Sequence, residues 1–109
     1  MSNVPAVSVE QLSEMMKSPK PPYVLDVREK WENDLCQLPQ NHLIPLGTLP
    51  ARVAELPKDQ PIVVHCHHGG RSSRAVGYLM QQGFSDVYNL TGGIHAWSQK
   101  IDPSVKTYE

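Results

Sequence analysis

The segment Pro61-Ile62-Val63-Val64-His65-Cys66-His67-His68-Gly69-Gly70-Arg71-Ser72-Ser73-Arg74 joins an apolar, β-branched run to Ala75-Val76-Gly77-Tyr78-Leu79-Met80, a stretch suited to a helix. One cysteine therefore sits where a buried strand hands over to a helix. Backbone N–H groups of a glycine-containing turn and of a first helical turn converge at such a point, and a helix start carries about half a positive elementary charge. A sulfur anion is favoured there, and Arg71 and Arg74 add full charges nearby.

Outward from this segment, helical and extended patterns alternate. Ser8-Val9-Glu10-Gln11 matches a capping box, and Val9, Leu12, Met15 and Met16 recur at helical spacing, which predicts a helix over about 9–17. Pro19, Pro21 and Pro22 stop it, and Tyr23-Val24-Leu25 reads as a buried strand ending at Asp26. A short helix or turn surrounds Trp31, between Arg28 and Asp34. Leu43-Ile44-Pro45-Leu46 reads as a brief extended piece, and Leu49 to Leu56, with Pro50 near its first turn, as a small amphipathic helix. Ile62 to His65 makes the central strand and Ser72 to Gln82 the next helix, with Gly83 as its left-handed stop. A further strand lies within Phe84 to Leu90, and a last helix runs from Thr91-Gly92-Gly93 through Trp97. Strands apolar on both faces, alternating with helices, predict an α/β fold with a small parallel sheet covered by helices. Sites in such sheets lie beyond the carboxyl ends of the strands, where Cys66 falls.

The 109 residues fit a single domain spanning 1–109. Ten basic and eleven acidic side chains give a net charge of −1 with no block of like charge, which argues against a nucleic-acid partner. No apolar run approaches about 18 residues, and Met1-Ser2-Asn3-Val4-Pro5 lacks the basic and apolar parts of a signal peptide. The chain reads as cytoplasmic, without a membrane partner. Cys66, beside arginines, reads as reactive in a reducing compartment rather than as half of a disulfide, and Cys36 as a free, inert thiol.

Three segments carry a family resemblance. Asp26-Val27-Arg28-Glu29-Lys30-Trp31-Glu32, the Cys66 loop, and Asn89-Leu90-Thr91-Gly92-Gly93-Ile94-His95-Ala96-Trp97 occur in order, and over nearly its whole length the chain resembles the single-domain rhodanese-like sulfurtransferases. The resemblance implies a rhodanese-like, mostly parallel five-stranded sheet flanked by helices on both faces. It also implies that Cys66 carries sulfane sulfur as a persulfide, taking it from a donor such as thiosulfate and passing it to a thiophilic acceptor, cyanide or a thiol. A sulfur-trafficking protein is a further candidate partner. The residues suit that chemistry. Inward N–H groups from His67, His68, Gly69, Gly70, Arg71 and Ser72 form a cradle for a soft anion that requires no metal and no organic cofactor. Gly69 and Gly70 tolerate left-handed backbone angles and close approach. Arg71, and to a lesser degree Arg74, would orient an anionic donor, while Asp26 and Arg28 would fix the loop from a strand end. Two positions depart from the family. His67 stands where the family has a cation directly after the Cys, so thiosulfate use should be weak or favoured by acid. Gln40-Asn41 replaces a Gly-Ala pair, a change expected to alter a loop and leave the sulfur site untouched.

Rival readings are weaker. Cys-dependent phosphatases and arsenate reductases place five residues between Cys and Arg; here four separate Cys66 from Arg71, and the smaller ring suits one sulfur better than a tetrahedral phosphate. A rhodanese-like relay or binding module with little small-molecule turnover is the non-catalytic alternative. The His65 to His68 run invites a metal, but adjacent residues on a strand-turn cannot all face one ion, and no structural-zinc spacing accompanies them.

Overall fold

In a computed structural model, which describes residues 4–108, five strands form one sheet with every pair parallel. Met1 to Asn3, part of the N-terminal reading above, and Glu109 lie outside the described residues. The elements in chain order are β1 (Ala6–Val7), α1 (Val9–Met16), β2 (Tyr23–Asp26), α2 (Lys30–Leu35), β3 (Asn41–Leu43), α3 (Leu49–Arg52), β4 (Ile62–His65), α4 (Gly70–Gln81), β5 (Val87–Leu90) and α5 (Gly93–Lys100). Short 3₁₀ turns at Leu46–Thr48 and Val53–Glu55 flank α3. The spatial order is β1-β5-β4-β2-β3, which puts β4 at the centre and Cys66 just past its carboxyl end.

The period of two along the strands builds both faces at once. Leu25, Ile62, Val64 and Val87 pack with Ile44, Leu49, Ala75, Val76 and Leu79 on the α3–α4 side, whereas Val24, Val63 and Leu90 pack with Val9, Leu12, Ile94 and Trp97 on the α1–α5 side. Cys66 closes the first of these clusters and Cys36 belongs to the second. Ser8 caps α1 as read, its hydroxyl accepting from the Gln11 amide at 3.0 Å while its own amide donates to Gln11 Oε1 at 2.7 Å.

Several elements differ from the sequence reading, each for a local reason. β1 was not foreseen: it is a two-residue edge strand after Pro5, held to β5 through carbonyls of Pro5 and Val7. The strand expected at Leu43–Leu46 lies two residues earlier. Pro45 has no N–H for a ladder, and the pairing that begins at Asn41 ends as Ile44 donates to the Asp26 carbonyl. Its residues are not apolar on both faces: His42 is exposed and stacks on Tyr23 at 4.1 Å. The Leu49–Leu56 helix is broken into one α turn and a 3₁₀ turn. α4 starts at Gly70, because Gly69 takes φ +116° and the Ser73 amide donates to its carbonyl.

α5 is fastened to the cysteine loop by its own backbone. The Ile94 and His95 amides donate to the carbonyls of Cys66 and His67 at 2.9 and 3.1 Å. These bonds bring Gly93, at φ +61°, so near the loop that a Cβ would land on the Cys66 and His67 carbonyl oxygens. Gly93→Ala is therefore expected to lower unfolding stability by about 2 kcal/mol or more, from steric overlap combined with a disfavoured backbone angle. Urea unfolding of the two proteins measures this, and an unchanged midpoint would contradict the close approach.

Candidate active site

The Cys66 loop is built from four converging backbones. Strand β4 delivers Cys66, Gly69 turns the chain, α4 begins beneath it, and α5 closes from the side. Cys66 is 1% exposed. Its Sγ accepts the Gly69 amide at 3.1 Å and the Ser72 amide at 3.4 Å, with Ser72 Oγ also at 3.4 Å. Both amides place positive dipole ends on the sulfur, an arrangement that stabilises negative charge there. Ser72 is fully buried and donates its hydroxyl to Asn89 Oδ1, while Asn89 Nδ2 donates to the Gly69 carbonyl at 3.2 Å. Asn89 thus braces the turn and the helix start together.

The two arginines of the loop point to different environments. Arg71 is bidentate with Glu32, at 2.7 and 2.8 Å, and Arg74 is exposed. The Arg71 guanidinium holds the Glu32 carboxyl well below the usual carboxylate range, at about 2, against the opposing effect of burial. Glu32 also accepts the Tyr108 hydroxyl at 2.6 Å and the Glu29 amide at 2.9 Å. Tyr108 is a contributor that no sequence motif marked. It stacks flat on His67 with ring centroids 4.0 Å apart, and its hydroxyl accepts from Arg28 Nη1 at 3.2 Å. Burial, followed by the bond to Glu32, pushes the Tyr108 phenol up to about 12.

Beneath the loop lies a buried ionic and polar network. Arg28 and Asp26 are both fully buried and paired in a fork, Nε to Oδ1 and Nη2 to Oδ2, each at 2.8 Å. Arg28 Nη2 also donates to the Cys36 carbonyl at 2.6 Å, and Nη1 to the Cys36 sulfur at 3.5 Å. Burial disfavours the Asp26 charge, but the bonds from Arg28 outweigh it and hold the carboxyl below its ordinary value. Asn41 Nδ2 donates to Asp26 Oδ2 and to Asn33 Oδ1, which leaves Asn41 Oδ1 to accept from His65 Nε2 at 2.6 Å. His65 therefore carries its proton on Nε2. Asn41 was expected to leave the sulfur site untouched; instead it fixes the residue immediately before Cys66.

The histidines separate into distinct settings. His65 is fully buried, and burial pulls its imidazole down to about 4. His67 and His68 flank the loop, and α5 brings His95 to them, so that one ring nitrogen from each lies within 4.8 Å of the others. His67 is held below its ordinary value by burial and then by these two neighbours, which limits its service as a cation at neutral pH. Both cysteines are free. Trp97 is 4% exposed in the core, whereas Trp31 is 59% exposed, with its ring edge-on to Tyr108.

The fold and loop are those of a known class. The family model for the rhodanese-like domain matches residues 8–100, and the chain belongs to that family. It is 36% identical over 99 residues to a sulfurtransferase of Allochromatium vinosum, covering 91% of this chain and 92% of that protein. It is 37% identical to a part of the adenylyltransferase and sulfurtransferase uba4 of Ogataea parapolymorpha, over 94% of this chain and only 25% of that longer protein. Among solved structures, a rhodanese-like domain protein from Staphylococcus aureus superposes with a TM-score of 0.83 at 28% identity, over 96% of this chain and 99% of the other. Among the described residues, no helix is long and apolar enough to cross a membrane.

The His65 environment sets a pH dependence of stability. An unfolded chain protonates this imidazole near about pH 6.5, the folded one only near 4. Between those values the unfolded state binds more protons, so stability falls as pH drops through that window, by about 3 kcal/mol at most from this group. Urea unfolding at several pH values checks this. His65→Gln, which keeps a donor for Asn41, is expected to flatten the slope by about one proton; an unaltered slope would rule out His65 as its source.

Proposed function

We propose that this protein is a sulfurtransferase that stores sulfane sulfur on Cys66 as a persulfide. The observation that carries the reading is the pair of amides, from Gly69 and Ser72, directed at a buried sulfur with its hydroxyl neighbour Ser72. The Cys66 thiolate attacks the outer sulfur of a donor such as thiosulfate. A new S–S bond forms on Sγ, the donor's own sulfur–sulfur bond breaks, and sulfite leaves with the electron pair. An acceptor, cyanide or a thiolate, then attacks the outer sulfur, and the electron pair of the breaking bond returns to Cys66. The cycle is ping-pong, and it needs no metal or organic cofactor. Amides from His67 through Ser72 are assigned to the bound sulfur, with Gly70 among them, and Asp26 and Arg28 to the support below.

Donor preference follows from where the cations are committed. Arg71 is neutralised by Glu32, His67 is held toward its neutral form, and Arg74 is exposed, so a doubly charged thiosulfate meets little uncompensated positive charge. A protein or thiol persulfide as donor and a sulfur-trafficking protein as acceptor fit that balance better. The likeness to one part of uba4, a protein named for both adenylyl and sulfur transfer, supports a place in such a chain of carriers. The Arg71–Glu32 pairing also speaks against phosphate chemistry, which would need that guanidinium on the substrate.

Thiocyanate formation from thiosulfate and cyanide is expected to be measurable but slow, and to vanish in Cys66→Ala with the fold retained. Because His67 is depressed, any rise toward acid should begin below about pH 6.5. Mass spectrometry of the donor-treated protein should show one added sulfur atom on the wild type and none on the variant. Activity that survives Cys66→Ala would sink the assignment.

A further inference from the structure

His67, His68 and His95 come from two elements, yet the two amide bonds of α5 to the cysteine loop hold them as one group. Ring centroids lie 4.0 Å apart for His67–His68, 4.9 Å for His68–His95 and 5.7 Å for His67–His95. Three imidazoles so close repel one another when protonated and present lone pairs when neutral. Nε2 of His67 and Nδ1 of His95 are shielded from solvent without a hydrogen-bond partner. A buried ring nitrogen in that state calls for a ligand. The flat stack of Tyr108 on His67 fixes the plane of that ring and leaves its in-plane lone pair free. Glu32 and Arg71, the nearby charges, cancel in their own pair.

We propose that His67, His68 and His95 form a three-imidazole binding site for a borderline divalent cation, Zn²⁺ foremost. Imidazole suits this class of ion, and three protein nitrogens leave a fourth position open to water or to a sulfur ligand. With Zn–N bonds of about 2.0–2.1 Å in a tetrahedron, the nitrogens would stand roughly 3.4 Å apart. Each candidate nitrogen already lies within 4.8 Å of the other two, so seating an ion requires a small convergence of the rings, and His68, the exposed member, has solvent on one side. Cys66 is not one of the ligands, so the site does not depend on the sulfur-transfer reading.

The test is a Zn²⁺ titration against a chromophoric chelator at neutral pH, with Co²⁺ absorption reporting the geometry. The wild type should bind one ion per chain. His68→Ala, at an exposed position, and His95→Gln should each weaken binding about tenfold or more, with circular dichroism showing that the fold is kept. Cys66→Ser and His42→Ala should bind as the wild type does. The proposal is overturned by absence of stoichiometric binding, by binding that survives both His68→Ala and His95→Gln, or by binding lost with Cys66→Ser.

Discussion

The buried fork between Asp26 and Arg28 is the constraint on which the site rests. Two fully desolvated charges are tolerable only because every direction around them is used: the Arg28 amide and the Asn41 amide on the carboxylate, the Cys36 carbonyl and the Tyr108 hydroxyl on the guanidinium. Removing one partner of such a pair costs about 3–5 kcal/mol in comparable settings, because the other charge is left buried. The pair joins the end of β2 to the end of α2, and through Asn41 to His65 at the end of β4. Arg28 and Asn41 touch the Asp26 carboxylate directly, and through them it is linked to Cys36 and to His65. The loop that follows β4 inherits its starting position from that junction.

Above this floor, the chemistry is supplied by backbone. Two amides face the sulfur, two carbonyls of the same loop are taken by α5, and the side chains that brace them, Ser72 and Asn89, do so through neutral hydrogen bonds. The Arg71 charge is paired with Glu32, and the Asp26–Arg28 pair lies beneath the loop. A preorganised ring of dipoles suits a soft sulfur that changes partners, since no formal cation must be displaced when the stored atom leaves.

How much of this was legible in the sequence divides along physical lines. The central strand, α1 with its Ser8–Gln11 cap, and the passage from β4 through Cys66 into α4 were readable, because burial on both faces, capping chemistry and a glycine turn all leave local marks. β1 and β3 were missed or misplaced, because edge strands of two and three residues owe their existence to a partner far along the chain. Gln40 illustrates the same limit: at φ +58° it occupies a left-handed position, a fact its side chain does not announce. Arg71 was readable as a loop cation, but its commitment to Glu32 was not, since the two are 39 positions apart. Tyr108 had no motif to mark it, and His95, though within the Asn89 to Trp97 segment on the last helix, carried no local sign that it meets the cysteine loop. Only the return of α5 and the following segment to the cysteine loop gives them neighbours.

That returning segment has an optical consequence. Tyr108 lies edge-on to the exposed Trp31, at 5.8 Å, while it stacks on His67; the other tryptophan, Trp97, is enclosed in the core. The two indoles therefore emit from different surroundings, one wet and beside a phenol that touches the loop, one dry. Red-side fluorescence of the wet indole becomes a built-in gauge of whether Tyr108 is seated, readable without a label and without disturbing the sulfur.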